Sequence, residues 1–166
     1  MNRDFVSIAV RDEEKMKIGN RTLRFMVVPN LHWPDTMYTF IEEEQILVTC
    51  DSFGSHYCLP EVVSTEIKNE EDYQKALKYY YDCIIGPFKP FMLKALDRVE
   101  NMDITMVCTG HGPVLVGERI KEVMKQYREW STVVNPNKKK TVIMAYVSAY
   151  GYTKMLADKI ADGIRD

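Results

Sequence analysis

Three potential metal ligands each lie in a loop that follows an apolar segment, and this placement limits the folds open to the chain. His32, Asp51 and His111 occupy these positions. We expect them at equivalent ends of strands in one sheet, where their side chains can converge on one point. Imidazole and carboxylate donors suit a metal ion with open positions, and an aspartate can bridge two cations with its two oxygens. A single histidine after a strand is more often a surface or core residue, so the metal hypothesis depends on all three meeting.

A second polar motif lies near the end of the chain, between an apolar segment at 141–147 and an amphipathic segment at 154–164. Its residues are Ser148, Ala149, Tyr150, Gly151, Tyr152 and Thr153. Two hydroxyls and the backbone N–H groups of a helix N-terminus can bind a phosphate dianion, and the glycine lets the backbone turn closely around it. Ser and Thr are also ordinary helix caps, so a capping role is the alternative. The motif lacks the lysine of a nucleoside-triphosphate loop.

Composition excludes several classes of partner. The 166 residues are 46% hydrophobic, which is enough for a core, and the net charge of -2 gives no field to attract nucleic acid or anionic lipid. No segment approaches the roughly 20 apolar residues of a membrane span, and the first residues lack the apolar region of a secretory signal. We therefore expect no nucleic acid, no membrane and a cytoplasmic location. The four cysteines form no Cys-x-x-Cys pair and are expected to be reduced and buried.

Hydrophobic periodicity predicts an α/β chain. The predicted strands cover 5–10, 22–28, 37–41, 46–50, 102–108 and 141–147, and the predicted helices cover 70–100, 117–130 and 154–164. A turn at 18–21 joins the first two strands, and Gly86, Pro87 and Pro90 divide the first helical region in two. Residues 135–140 are polar and include three consecutive lysines, which indicates a linker between a first domain at 1–134 and a second at 141–166.

Four segments, in this order, resemble the flavodiiron proteins, also called A-type flavoproteins. The segments are His32–Met37, Cys50–Tyr57, Thr109–Pro113 and Tyr146–Thr153. The resemblance implies the C-terminal half of a metallo-β-lactamase-like αββα sandwich, followed by the first β-loop-α of a flavodoxin-like domain. It also implies a non-haem diiron centre and FMN as cofactors. Such proteins reduce dioxygen to water, nitric oxide to nitrous oxide, or both.

The resemblance also implies residue roles and partners. His32 would be a terminal ligand of one iron, Asp51 the carboxylate that bridges both irons, and His111 a ligand of the second iron. Trp33 would lie near the FMN of a partner subunit in a head-to-tail homodimer or a dimer of dimers, and the motif at 148–153 would hold the FMN phosphate. The external electron donor would be rubredoxin or a reduced flavin or deazaflavin carrier. One residue of the run Tyr79, Tyr80 and Tyr81 would approach the site, and the sequence does not select which.

The chain departs from the family pattern at two places. An upstream His-x-Glu-x-Asp motif and the two later flavodoxin loops do not occur in it. We therefore expect a fragment with too few iron ligands, weak metal binding and little activity by itself, and with an exposed sheet edge and apolar face. His56 lies within a loop, after Gly54 and Ser55, and is expected either at the surface or beside a metal ligand that it orients. Two alternatives stay open: a zinc hydrolase of the same fold, which would not need a phosphate loop, and a non-catalytic interaction module.

Overall fold

The computed structural model describes residues 7–133 and 141–165. It divides into two compact units, Met1–Val133 and Val134–Asp166. The expected linker at 135–140 lies outside the described residues, as do the first two residues of the strand predicted at 5–10.

The first unit contains one sheet whose strands are neighbours in chain order. They are β1 (Lys15–Ile18), β2 (Arg21–Val27), β3 (Met37–Ile41), β4 (Ile46–Val48), β5 (Met106–Cys108) and β6 (Leu115–Val116). All neighbouring pairs are antiparallel except β4 and β5, which are parallel. As a result β2, β4 and β5 run in the same direction, and the loops that follow them leave the sheet at the same edge.

Helices cover one face of this sheet and supply the other half of the core. They are α1 (Glu70–Tyr80), α2 (Lys89–Val99) and α3 (Glu118–Ser131). Strand residues of alternating position, such as Tyr38, Leu47 and Val107, are buried with Leu77, Leu96 and Val123 of the helices. The expected α/β fold class is confirmed, with a six-stranded sheet and helices packed on it.

The predicted break in the helical region is confirmed. A π-helical turn at Tyr81–Ile85 and a 3₁₀ turn at Gly86–Phe88 separate α1 from α2. Pro90 lies in the first turn of α2. Backbone N–H groups in a first turn have no intrahelical acceptor, so the absence of this group in proline costs no hydrogen bond. At the start of α1 the side chain of Asn69 accepts from the backbone N–H of Asp72 and caps the helix.

Two predicted strands were wrong. Residues 7–10 form no strand, and β2 instead pairs with β1 at 15–18, although the predicted turn between them is present. Whether a segment forms an edge strand depends more on its pairing with a neighbouring strand than on alternation of apolar and polar residues. β1 is mostly exposed and contains two lysines, so its sequence has no clear apolar face. Residues 141–147 also form no strand in the described structure. A strand needs a neighbouring strand to pair with. Among the described residues of the second unit the only regular element is the helix α4 (Tyr152–Arg165), so residues 141–147 have no partner strand there.

The cysteines also differ from expectation. Cys50, Cys58 and Cys83 are exposed and Cys108 is partly exposed, so the prediction that they are buried was wrong, whereas the predicted free thiols are confirmed. Within 7–133 and 141–165, no helix has both the length and the apolar character needed to cross a bilayer.

Candidate functional site

The carboxylate of Asp51 lies between two imidazoles. Its Oδ2 is 3.3 Å from Nε2 of His32, and its Oδ1 is 3.4 Å from Nε2 of His111. The Asp51 side chain is only 20% exposed, less than either histidine. The predicted convergence of the three side chains at one sheet edge is therefore observed, and each carboxylate oxygen faces a different ring.

This arrangement offers two donors on each side of the carboxylate. One side has an imidazole nitrogen and Oδ2, and the other has an imidazole nitrogen and Oδ1. Among the described residues, no group of three or more His, Cys, Asp or Glu side chains is placed to hold one ion. Each Asp51 oxygen therefore faces one imidazole nitrogen, and no third side chain of these types joins either pair within the described residues.

The loop that carries His32 is closed at its base. Val27 pairs with Met37 in the sheet, and the next N–H, that of Val28, donates to the carbonyl of Thr36 at 3.0 Å. Inside the loop, the hydroxyl of Thr36 donates to the Trp33 carbonyl at 2.8 Å and accepts from the Trp33 N–H at 3.2 Å. Backbone bonds and a buried threonine thus hold His32 in a fixed turn at the end of β2.

The loop that carries Asp51 is anchored in the core on its far side. Phe53 is buried and its ring centroid lies 5.0 Å from that of Tyr127 on α3, whose hydroxyl donates to the Gly54 carbonyl at 3.3 Å. Cys50 and Phe53 both have positive φ, which turns the chain sharply on either side of Asp51. Burial, and to a lesser extent the charge of Asp51, raises the pKa of the Cys50 thiol, so this thiol is neutral at neutral pH.

The loop that carries His111 is bonded directly to the Asp51 loop. The N–H of Gly110 donates to the Cys50 carbonyl, and the carbonyl of His111 accepts from the N–H of Ser55 at 3.1 Å. A side chain at Gly110 would begin 3.0 Å from the Cys50 carbonyl oxygen, a tight contact that a larger residue would relieve only if the two loops moved apart by a few tenths of an ångström. The distance between Asp51 and His111 is consequently fixed by the backbone.

Two further aromatic residues border the site. The ring of His56 lies edge-on to two other rings. Its centroid is 5.3 Å from that of His111 and 4.9 Å from that of Tyr80. Tyr80 is buried and its ring centroid is 5.9 Å from that of His111. Tyr79 is 69% exposed, and the hydroxyl of Tyr81 bonds instead to Ser131 at the end of α3. Tyr80 is thus the residue of this run that approaches the site.

The Tyr80 hydroxyl remains protonated at neutral pH. Burial, with a smaller contribution from the charge of Asp51, raises its pKa well above the ordinary value. The sequence does not distinguish Tyr80 from its two neighbours and indicates no partner for His56. The helical spacing of Tyr73, Leu77 and Tyr80 on one face of α1 was the available signal for Tyr80, and these three are the buried residues of that helix.

Trp33 extends outward beside the site. It is 63% exposed, and its ring centroid is 5.6 Å from that of His32. An aromatic ring so exposed next to a candidate ligand is available for contact with another group.

The polar motif of the second unit spans the start of α4: Ser148, Ala149, Tyr150 and Gly151 precede the helix, and Tyr152 and Thr153 are its first two residues, so the helix begins two residues before its predicted start at 154. The hydroxyl of Ser148 accepts from the N–H of Lys154 at 3.2 Å, which is the capping role considered as the alternative. Gly151 has φ +86°, and Tyr150, Tyr152 and Thr153 are exposed, as is Ala149. A hydroxyl that accepts one bond still has a proton to donate, so capping and phosphate binding are compatible.

Comparison with known proteins places this geometry in a family. Residues 1–112 match the family model described as ODP family beta lactamase. The flavo-diiron protein FprA2 of Clostridium acetobutylicum is 42% identical over 159 residues, which cover 95% of this chain and 40% of that protein. The chain belongs to the flavodiiron proteins. Its suspected membership in this family is therefore confirmed.

Solved flavodiiron structures agree with this assignment. The flavodiiron protein of Giardia intestinalis superposes with a TM-score of 0.71 and 34% identity, over 75% of this chain and 30% of that one. The rubredoxin oxygen:oxidoreductase of Desulfovibrio gigas superposes with a TM-score of 0.73 and 27% identity, over 78% of this chain and 33% of that one. The chain thus spans less than half the length of these flavodiiron proteins.

Proposed function

We propose that this chain contributes one side of a non-haem diiron centre. His32 holds one iron, His111 holds the other, and Asp51 bridges them. The observation that carries the proposal is the placement of each Asp51 oxygen against a different imidazole, at 3.3 and 3.4 Å. Imidazole and carboxylate are ligands that non-haem iron accepts while keeping positions open for substrate, so the donors present fit the metal.

The number of donors limits how tightly the chain binds metal. Each iron receives one nitrogen and one oxygen from the described residues. Sites with few protein ligands bind metal weakly. We propose that further ligands come from outside the described residues and that this chain alone has little activity.

For the complete protein we propose an oxidoreductase that reduces dioxygen, nitric oxide or both with electrons from FMN. The names of the flavo-diiron protein of C. acetobutylicum and of the oxygen:oxidoreductase of D. gigas support this activity, and the latter name supports rubredoxin as one kind of electron donor. When bound, the iron pair would offer open positions for the diatomic substrate and would pass on to it the electrons that FMN delivers. The chain's own residues would orient the ligands: Tyr80 places a buried aromatic ring beside His111, and the buried Phe53 anchors the Asp51 loop against Tyr127.

The FMN contacts are proposed for two places. Ser148, Thr153 and the backbone between them hold the phosphate at the N-terminus of α4, where the helix dipole favours an anion. Trp33 faces the flavin of a second copy in a head-to-tail homodimer or a dimer of dimers, and its 63% exposure supports this role. We propose a cytoplasmic location, which the free cysteines support.

Metal analysis after anaerobic incubation with ferrous iron or zinc tests the diiron proposal. The expected result is about two irons for each complete protein, and weaker, partial loading of this chain because each position has two donors. Retention of zinc alone would favour the hydrolase alternative. Absence of any bound metal from the complete protein would favour the non-catalytic alternative and contradict the proposal.

A further inference from the structure

The C-terminal end of β2 is bonded to helix α2 by one arginine. Nη1 of Arg98 donates to the carbonyl of Val27 at 2.8 Å, and Nη2 donates to Oδ1 of Asp12 at 2.8 Å. The same Oδ1 accepts from the N–H of Val27 at 2.8 Å. Arg98 and Asp12 therefore bind both backbone polar groups of Val27 and each other, which closes a triangle of charge-assisted hydrogen bonds.

Val27 is the point at which the strand ends and the His32 loop begins. It pairs with Met37 in the last register position of β2 and β3, and the N–H of the following residue, Val28, bonds to Thr36. His32 lies within the loop that these two closures define. A displacement of Val27 is consequently transmitted to the base of that loop.

Arginine is suited to this position because its guanidinium is a planar fork with several donors. It reaches a carbonyl and two carboxylates at once, since Nη2 also bonds to Glu13. A lysine at this position could not keep the same bonds in one geometry. The hydrogen bond from Arg98 lowers the pKa of Asp12, so the carboxylate remains charged at neutral pH.

We propose that Arg98 is a positioning residue, which holds the base of the His32 loop and thereby sets the place of the His32 imidazole opposite Asp51. Arg98 acts through Val27 and does not contact the side chain of His32 or of Asp51. The loop-holding role depends only on the contacts above. Its consequence for metal binding rests on the proposed function.

Amide hydrogen exchange of Arg98→Gln tests the loop-holding role without any metal. The N–H groups of Val28 and Asn30, which bond within the His32 loop, are expected to exchange about tenfold faster, since a lost charge-assisted bond changes a local opening equilibrium by roughly this factor. Those of Thr49 and Gly110, which hold the Asp51 and His111 loops, are expected to keep their wild-type rates. Equal acceleration at all four amides, or at none, would overturn the proposal.

Arg128→Gln is the matched control. Arg128 also bonds to two carboxylates, Asp97 on α2 and Glu100 just after it, and its side chain is 34% exposed against 27% for Arg98. It does not touch the His32 loop, so this variant is expected to leave Val28 and Asn30 at their wild-type rates. If Arg98→Gln does not fold, Asp12→Asn weakens the same triangle while it preserves side-chain shape, and it should accelerate the same two amides.

Anaerobic titration of the complete protein with cobalt(II) tests whether Arg98 affects metal binding at His32. Arg98→Gln is expected to weaken binding at one position about tenfold, while Arg128→Gln binds as wild type does. Wild-type affinity in Arg98→Gln would overturn the positioning role. Failure of the wild-type protein to bind cobalt at all would contradict the proposed function instead, and the exchange result would still decide the loop-holding role.

Discussion

Gly112 lies so close to Ser55 that a Cβ at residue 112 would be 2.4 Å from Oγ of Ser55 and 2.5 Å from its carbonyl oxygen. Gly112 also has φ +85°, a conformation that L-residues rarely adopt. Gly112→Ala is therefore expected to destabilise the first unit by about 2 to 4 kcal/mol, the sum of backbone strain and overpacking. Denaturant unfolding measures this loss.

Gly117→Ala separates the two causes. Gly117 also has positive φ, but nothing lies within 4 Å of its hypothetical Cβ. The expected loss is about 1 to 3 kcal/mol from strain alone, because φ +59° with ψ −139° lies near a region that only glycine adopts readily. Equal losses for the two variants would show that the close approach of Gly112 to Ser55 has no energetic effect.

Tyr80 and Tyr79 are adjacent in sequence but are expected to respond differently to truncation. Tyr80→Ala removes a buried ring between His56 and the core and is expected to cost about 3 to 5 kcal/mol. Tyr79→Ala removes a side chain that is 69% exposed and is expected to change stability by less than about 0.5 kcal/mol. Thermal unfolding of both variants checks the assignment, and a comparable loss for Tyr79→Ala would contradict it.

The ion pair between Arg119 and Glu70 predicts a component of acid sensitivity. Both guanidinium NH groups of Arg119 bond to Glu70 at 2.7 Å, and this hydrogen bonding lowers the pKa of the carboxyl in the folded state. The contribution is present above the unfolded-state pKa of about 4.3 and is lost as pH falls through the lower folded-state value.

Glu70→Gln and Arg119→Gln should each remove this component. Below about pH 4.3 their stability should fall less steeply than that of the wild type, and the double variant should add little to either. Unfolding free energies between pH 7 and pH 3 measure the effect. Identical slopes for wild type and Glu70→Gln would contradict the assignment.

Ser148 caps α4 and is also the proposed phosphate donor, and one substitution addresses both roles. Ser148→Ala is expected to reduce the helicity of α4 because it removes the bond to the Lys154 N–H, at a cost of about 1 kcal/mol. In the complete protein it should also weaken FMN binding. Ser148→Thr keeps the hydroxyl and should retain both properties. Loss of helicity with unchanged FMN affinity would leave Ser148 a cap and contradict the phosphate role.

The convergence of His32, Asp51 and His111 could be predicted because the alternation of apolar residues fixes where strands end, and strands of one sheet end at shared edges. The roles of neighbouring residues could not be read in the same way. His56 contacts His111 and Tyr80 from a loop in which Cys50 and Phe53 adopt positive φ, and neither residue type signals that conformation. Loop geometry of this kind depends on tertiary contacts such as those of Tyr127 with the loop.

The errors in secondary structure have a related cause. The segment at 141–147 has the composition of a buried strand, but composition does not provide the neighbouring strand that a ladder requires. Likewise β1 was missed because its pairing with β2 depends on the turn at Gly19 and Asn20 rather than on an apolar face of its own. Cys50 and Cys58 were expected in the core from their residue type alone, whereas both lie in exposed loop positions.

In the proposed centre one carboxylate serves two metal positions, each with its own imidazole. Anaerobic calorimetric titration of ferrous iron into the complete protein and its single variants measures this arrangement. His32→Ala is expected to remove one ion, His111→Ala the other, and Asp51→Ala to weaken the binding of both. Retention of both ions with wild-type affinity by Asp51→Ala would contradict this arrangement.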